Sequence, residues 1–96
     1  MEKKLLSSRE TRQLLAAILQ LNTLDEAAAF FADIGTAVEL KSFAQRLEVA
    51  RLLQTGATYA QIEGQTGVST ATISRVKRFL QYGAGGYELI LNRLYE

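Results

Sequence analysis

Residues 59–78 read Tyr59-Ala60-Gln61-Ile62-Glu63-Gly64-Gln65-Thr66-Gly67-Val68-Ser69-Thr70-Ala71-Thr72-Ile73-Ser74-Arg75-Val76-Lys77-Arg78. This run carries the helix-turn-helix pattern at most of its constrained positions. Ile62 is expected to anchor a short first helix in the core. Gly67 makes the turn, where a side chain would be strained. Val68 plugs the angle between the two helices, and Ser69 caps the second. Ile73 and Val76 pin that second helix to the core, and Leu80 continues their stripe. Two positions depart from the pattern. Thr66 stands where an apolar residue is usual, and Glu63 stands where a small one is usual.

Helical geometry then fixes what faces outward. At about 100° per residue, Ile73, Val76 and Leu80 share one side. The opposite side presents Ala71, Arg75, Arg78 and Tyr82, flanked by Ser74. That exposed face is small at its start and basic further along. A helix that reads a major groove needs this arrangement, because its first turn must fit between the strands while Arg and Lys reach phosphates or guanine edges. Backbone N–H groups near Ser69 and Thr70 can bind a phosphate as well. The residues expected to touch DNA are therefore Ser69, Thr70, Ala71, Thr72, Ser74, Arg75, Lys77 and Arg78.

Outward from this segment, helix signals recur along the chain. There is no proline. Ser7-Ser8-Arg9-Glu10, Thr23-Leu24-Asp25-Glu26 and Thr36-Ala37-Val38-Glu39 have capping-box spacing, and Thr58-Tyr59-Ala60-Gln61 is the glutamine version. Gly35, Gly56, Gly67 and Gly83 fall where helices should end. Six helices follow, over residues 8–21, 24–34, 37–54, 59–66, 70–82 and 86–95. Stripes support them: Leu14, Leu15, Ile18 and Leu21; Leu24, Ala27, Ala28, Phe31 and Ile34; Leu40, Phe43, Leu47 and Ala50. Core packing is the reading of each stripe.

The composition narrows the chemistry. The chain has 96 residues, 48% of them hydrophobic, which suits one folded domain. It has no cysteine and no histidine, so disulfides, thiolate or imidazole metal ligands, thiol nucleophiles and histidine acid–base catalysis are all excluded. No convergent set of other side chains suggests catalysis, and no metal or cofactor is expected. The net charge is only +1, so the case for an anionic partner rests on placement. Between Gly67 and Gly86 the charged residues are Arg75, Lys77 and Arg78, with no acid among them. Met1-Glu2-Lys3-Lys4 is charged and unlike a targeting signal, and the most apolar stretch, Ala27 to Ala32, falls far short of the ~20 residues that span a bilayer. The expected location is cytoplasmic, at the nucleoid, with no membrane partner.

Two longer stretches carry a family likeness: Gln45-Arg46-Leu47-Glu48-Val49-Ala50-Arg51-Leu52-Leu53-Gln54-Thr55-Gly56, and Thr70 through Gly83. With them the chain resembles the Trp repressor-like superfamily, and within it the YerC/YecD group of bacterial proteins. The resemblance implies an all-α, six-helix fold in an intertwined homodimer, with helix-turn-helix heads and a near-palindromic DNA site. In these terms residues 1–56 are dimerisation helices, 58–82 the helix-turn-helix and 86–96 a C-terminal dimerisation helix. The family's indole ligand lies between two arginines, which match Arg46 and Arg75 here. A pocket glycine is replaced by Val76 and a small hydroxyl residue by Phe79, so tryptophan is not expected as a corepressor. Any other small effector is left unnamed. Thr70, Ala71, Thr72 and Ser74 match the base-facing start of the family's recognition helix, where readout is largely water-mediated. Tyr59 and Ala60 replace polar and basic residues, so the phosphate grip is expected to be weaker there or to move to Arg75, Lys77 and Arg78.

The remaining features have plain readings. Gly83-Ala84-Gly85-Gly86 lacks the preceding strand and the Gly-Lys-Ser/Thr ending of a phosphate loop, and reads as a flexible stop. Leu89, Ile90, Leu91, Leu94 and Tyr95 make the last helix strongly apolar, which suits a dimer core. The function expected is sequence-specific DNA binding by a dimeric regulator, a repressor. The competing expectation is a helical interaction module whose basic face binds an acidic protein partner without touching DNA.

Overall fold

The structure is a computed structural model that describes residues 3–95. Its described residues form seven α-helices and no strand: α1 Lys3–Ser7, α2 Arg9–Ile18, α3 Leu24–Ile34, α4 Ala37–Gln54, α5 Tyr59–Thr66, α6 Thr70–Tyr82 and α7 Gly86–Tyr95. The all-helical class agrees with the sequence expectation, and five of the six expected helices match at both ends to the residue.

The exception is the N-terminal end, where six helices were expected and seven are found. Ser8 has extended backbone, with φ −63° and ψ 136°, and splits what would be a continuous helix into α1 and α2. Its hydroxyl accepts from Thr11 N–H at 3.2 Å. Ser7 is therefore not the cap its spacing to Glu10 suggested. It still lies in α1, where its hydroxyl donates to the Lys4 carbonyl. The second helix also stops three residues early, at Ile18, with Leu19 at its C-terminal boundary.

The other caps form largely as spaced. Thr36 accepts from Glu39 N–H at 3.1 Å while the Glu39 carboxylate accepts from Thr36 N–H at 2.9 Å. Thr58 and Gln61 make the same reciprocal pair. Thr23 accepts from Glu26 N–H, but the Glu26 carboxylate reaches one residue further back, to Asn22 N–H. These bonds satisfy backbone donors that a helix start leaves without partners. Of the helix-ending glycines, Gly56 and Gly67 adopt positive φ, whereas Gly35 and Gly83 end their helices in extended backbone. Gly83 is needed for another reason: a Cβ there would drive into the Phe79 carbonyl oxygen.

The chain divides into two compact units, residues 1–40 and 41–96. In the second unit Val49, Ala50, Leu52, Ile62, Ile73, Val76 and Leu91 form a buried cluster. Leu47, Leu53, Ala57, Tyr59, Val68 and Tyr87 pack against it. Four helices thus contribute to one small core. In the first unit no described residue is buried. The stripes expected to pack there are open in the single chain: Leu24 is 90% exposed, and Leu14, Leu15 and Ile34 are exposed as well. On α4, Leu40 and Phe43 of the expected stripe are exposed, Leu47 is half-buried and Ala50 is buried, together with Val49 and Leu52 from outside the stripe.

Candidate nucleic-acid interface

The helix-turn-helix forms where the sequence places it. α5 and α6 pack together, and both rest on the core of the second unit. Ile62 is fully buried on α5, and Ile73 and Val76 are buried on α6. Val68 packs against the same cluster from the turn. Gly67 has φ 73° and ψ 5°, the left-handed conformation that favours glycine, and its N–H donates to the Glu63 carbonyl.

Thr66 departs from the expected apolar type, and the structure shows what it does instead. Its hydroxyl donates to the Ile62 carbonyl at 2.7 Å and accepts from Val68 N–H at 3.3 Å. One half-buried side chain thereby satisfies groups on both sides of the turn. An apolar residue would fill the space but leave these groups to find other partners.

α6 starts cleanly. Ser69 Oγ accepts from Thr72 N–H at 3.2 Å and also donates to Thr72 Oγ1 at 3.2 Å. Thr70, Ala71, Ser74, Arg75, Lys77 and Arg78 are exposed, as is Ser69 before them, and Thr72 is half-buried. Among the described residues the one ion pair is Glu48 with Arg51 on α4, so Arg75, Lys77 and Arg78 have no carboxylate partner within ion-pair distance. No carboxylate among the described residues pairs with them, and the helix that carries them is anchored from its other side by Ile73 and Val76. Such a face attracts polyanions and sets the orientation in which they dock.

The structure also brings in a residue outside the expected set. Tyr59, at the start of α5, lies against α6. Ser74 Oγ is 3.4 Å from its phenolic oxygen, and Lys77 Nζ is 5.9 Å from its ring centre. Nothing in linear spacing pairs positions 59 and 74; only the turn geometry does.

Arg46 and Arg75 take different settings. Arg46 is half-buried on α4 and Arg75 exposed on α6. Neither pairs with Glu39 or Glu48: Glu39 is occupied by its cap, and Glu48 by Arg51. The Glu48–Arg51 pair is bidentate, with Nε at 2.6 Å and the terminal nitrogen at 2.9 Å. The Arg51 guanidinium holds the Glu48 carboxyl below the usual carboxylate range through these hydrogen bonds. Val76 is buried in the core, while the Phe79 side chain is 47% exposed in the single chain.

Comparison with known proteins matches this geometry to a family. The family model described as Trp repressor protein matches residues 9–95. The chain belongs to the Trp repressor family. Within the family it falls in the YerC group: it is 54% identical over 91 residues to the uncharacterized protein YerC of Bacillus subtilis (strain 168), covering 95% of this chain and 88% of that protein. The crystal structure of a candidate Trp repressor from Staphylococcus aureus superimposes with a TM-score of 0.92 at 46% identity, over 98% of this chain and 94% of that one. A TrpR like protein from Eubacterium eligens ATCC 27750 gives a TM-score of 0.90 at 49% identity, over 93% and 92% of the two chains. Trp repressor-like proteins are DNA-binding regulators and not enzymes, which agrees with a chain lacking histidine and cysteine. Among the described residues no helix is long and apolar enough to cross a membrane.

Proposed function

We propose that the chain is a homodimeric, sequence-specific DNA-binding regulator that acts as a repressor. The observation that carries this reading is the exposed face of α6, where Arg75, Lys77 and Arg78 stand without carboxylate partners among the described residues, beside a capped, small-residue first turn. Two such helices enter successive major grooves about one helical turn apart. Ser69, Thr70, Ala71, Thr72 and Ser74 meet the groove, and the three cations grip phosphates.

The homodimer is supported by the apolar surface of the single chain. Leu19 is 80% exposed, Leu24 90% and Val38 79%, and Leu89, Ile90 and Leu94 on α7 are exposed too. Apolar surface on this scale is covered in stable proteins. In this reading residues 1–56 and 86–96 dimerise and residues 58–82 bind DNA, in the cytoplasm at the nucleoid. In this reading tryptophan is not the effector, because the family resemblance puts Val76 and Phe79 in place of the small pocket residues beside Arg46 and Arg75.

Selection of bound duplexes from a random library tests the reading. It should enrich a near-palindrome with half-sites about one helical turn apart. Enrichment of no sequence, or of a single unpaired half-site, would contradict it.

A further inference from the structure

Among the described residues, one side-chain hydrogen bond joins positions more than four apart in sequence, and it crosses between the two helices of the motif. Ser74 Oγ donates to the Tyr59 phenolic oxygen at 3.4 Å, and Lys77 Nζ lies 5.9 Å from the centre of the same ring. Tyr59 is half-buried with its ring on the hydrophobic core, whereas Ser74 and Lys77 are exposed. From these contacts we infer that Tyr59, Ser74 and Lys77 form one phosphate-binding clasp at the junction of α5 and α6, with Tyr59 itself donating to the DNA backbone. This inference rests on the DNA-binding reading above.

The chemistry of the three groups fits one phosphodiester. A phenol that accepts from Ser74 keeps its own O–H proton free to donate. A hydroxyl pair at 3.4 Å is at the long, weak end of hydrogen bonding, so both groups can turn toward an anion oxygen at little cost. The Lys77 ammonium supplies the positive charge. Its place over the ring restrains a side chain that otherwise loses much rotamer freedom on binding. Two O–H donors and one cation thus face a group with two non-bridging oxygens and one negative charge. The core holds the ring, so the donor is positioned before DNA arrives. If Tyr59 served only to pack, phenylalanine would do as well.

Tyr59→Phe separates these roles, because it keeps the ring and the Lys77 platform and removes only the hydroxyl. Anisotropy of a labelled random duplex, read at several salt concentrations beside a thermal melt of each protein, is the experiment. The clasp predicts that Tyr59→Phe melts like the wild type and binds about tenfold more weakly per protomer, the effect of one charge-assisted hydrogen bond. Its salt slope should be unchanged, since no charge is lost. Lys77→Ala should lower that slope by about one per protomer. Wild-type affinity in Tyr59→Phe overturns the clasp and leaves the DNA reading standing. A wild-type protein that binds no duplex at any salt overturns the reading beneath it. If Tyr59→Phe proves less stable, its double mutant with Ser74→Ala decides, because Ser74 also meets the groove: losses of affinity that are less than additive support the clasp, and additive losses overturn it.

Discussion

Arg75 stands exposed on α6 with no carboxylate among the described residues to hold it, although the family likeness pairs it with Arg46 around a ligand. Arg75→Ala should weaken binding to every duplex alike and reduce the salt slope by about one per protomer. Unchanged affinity in a duplex titration would remove it from the interface. The buried residues of the motif were legible one by one, because Ile62, Ile73 and Val76 sit at positions where only a packed apolar side chain serves. Thr66 was not legible: its value lies in two hydrogen bonds to backbone groups that come within reach only after the turn has formed. The Glu48–Arg51 pair differs from it, because its i,i+3 spacing lies on one helix face and needs no turn to bring the groups together. Because Glu48 is lowered by Arg51, its charged form stabilises the fold above the ordinary carboxylate pKa, and that part is lost as pH falls through the lowered value. Glu48→Gln should therefore flatten some of the acid limb of a melting-versus-pH curve while changing little at neutral pH, since the pair is partly exposed. An unaltered acid limb would show that the pair contributes nothing.

At the scale of elements, caps were the most readable signal, since each needs only a side chain three residues from its partner. Thr36, Thr58 and Ser69 cap as spaced. Ser7 and Ser8 show where this runs out: two adjacent hydroxyls offer two registers, and the backbone at Ser8 decides between them. Ser69→Ala should cost about 1 kcal/mol of stability by denaturant titration, because it leaves the Thr72 N–H without its acceptor. A loss of only a few tenths would mean that water replaces the cap. The buried side of α4 was harder to read. Apolar residues lie all around this helix, so the stripe through Leu40, Phe43 and Leu47 competes with the face through Val49 and Leu52. Within one chain Val49 and Leu52 are buried together with Ala50 at the end of the first stripe, while Leu40 and Phe43 are exposed.

The whole molecule is where a single sequence says least, because partners are not written in intrachain periodicity. Among the described residues seven are buried, all in the second unit, and many large apolar residues outside them are exposed. For a stable dimer, sedimentation should give twice the chain mass at micromolar protein, and the melting temperature should rise with concentration. A monomer of unchanged melting temperature across dilution would leave those stripes unexplained. Calorimetry with tryptophan should give no saturable heat, and a saturable isotherm would mean that Val76 and Phe79 leave room for an indole. The arrangement of charge makes the sharpest demand. In the proposed dimer, Arg75, Lys77 and Arg78 on each of two heads would neutralise about six phosphates and give a log–log salt slope of about −5. Fluorescence anisotropy of a labelled random duplex, titrated with wild-type protein across salt concentrations, measures that slope directly. A steep fall in affinity near this value is the expected result. Absence of binding at low salt, in protein shown to be folded, would contradict DNA binding and turn the basic face of α6 toward an acidic protein partner instead.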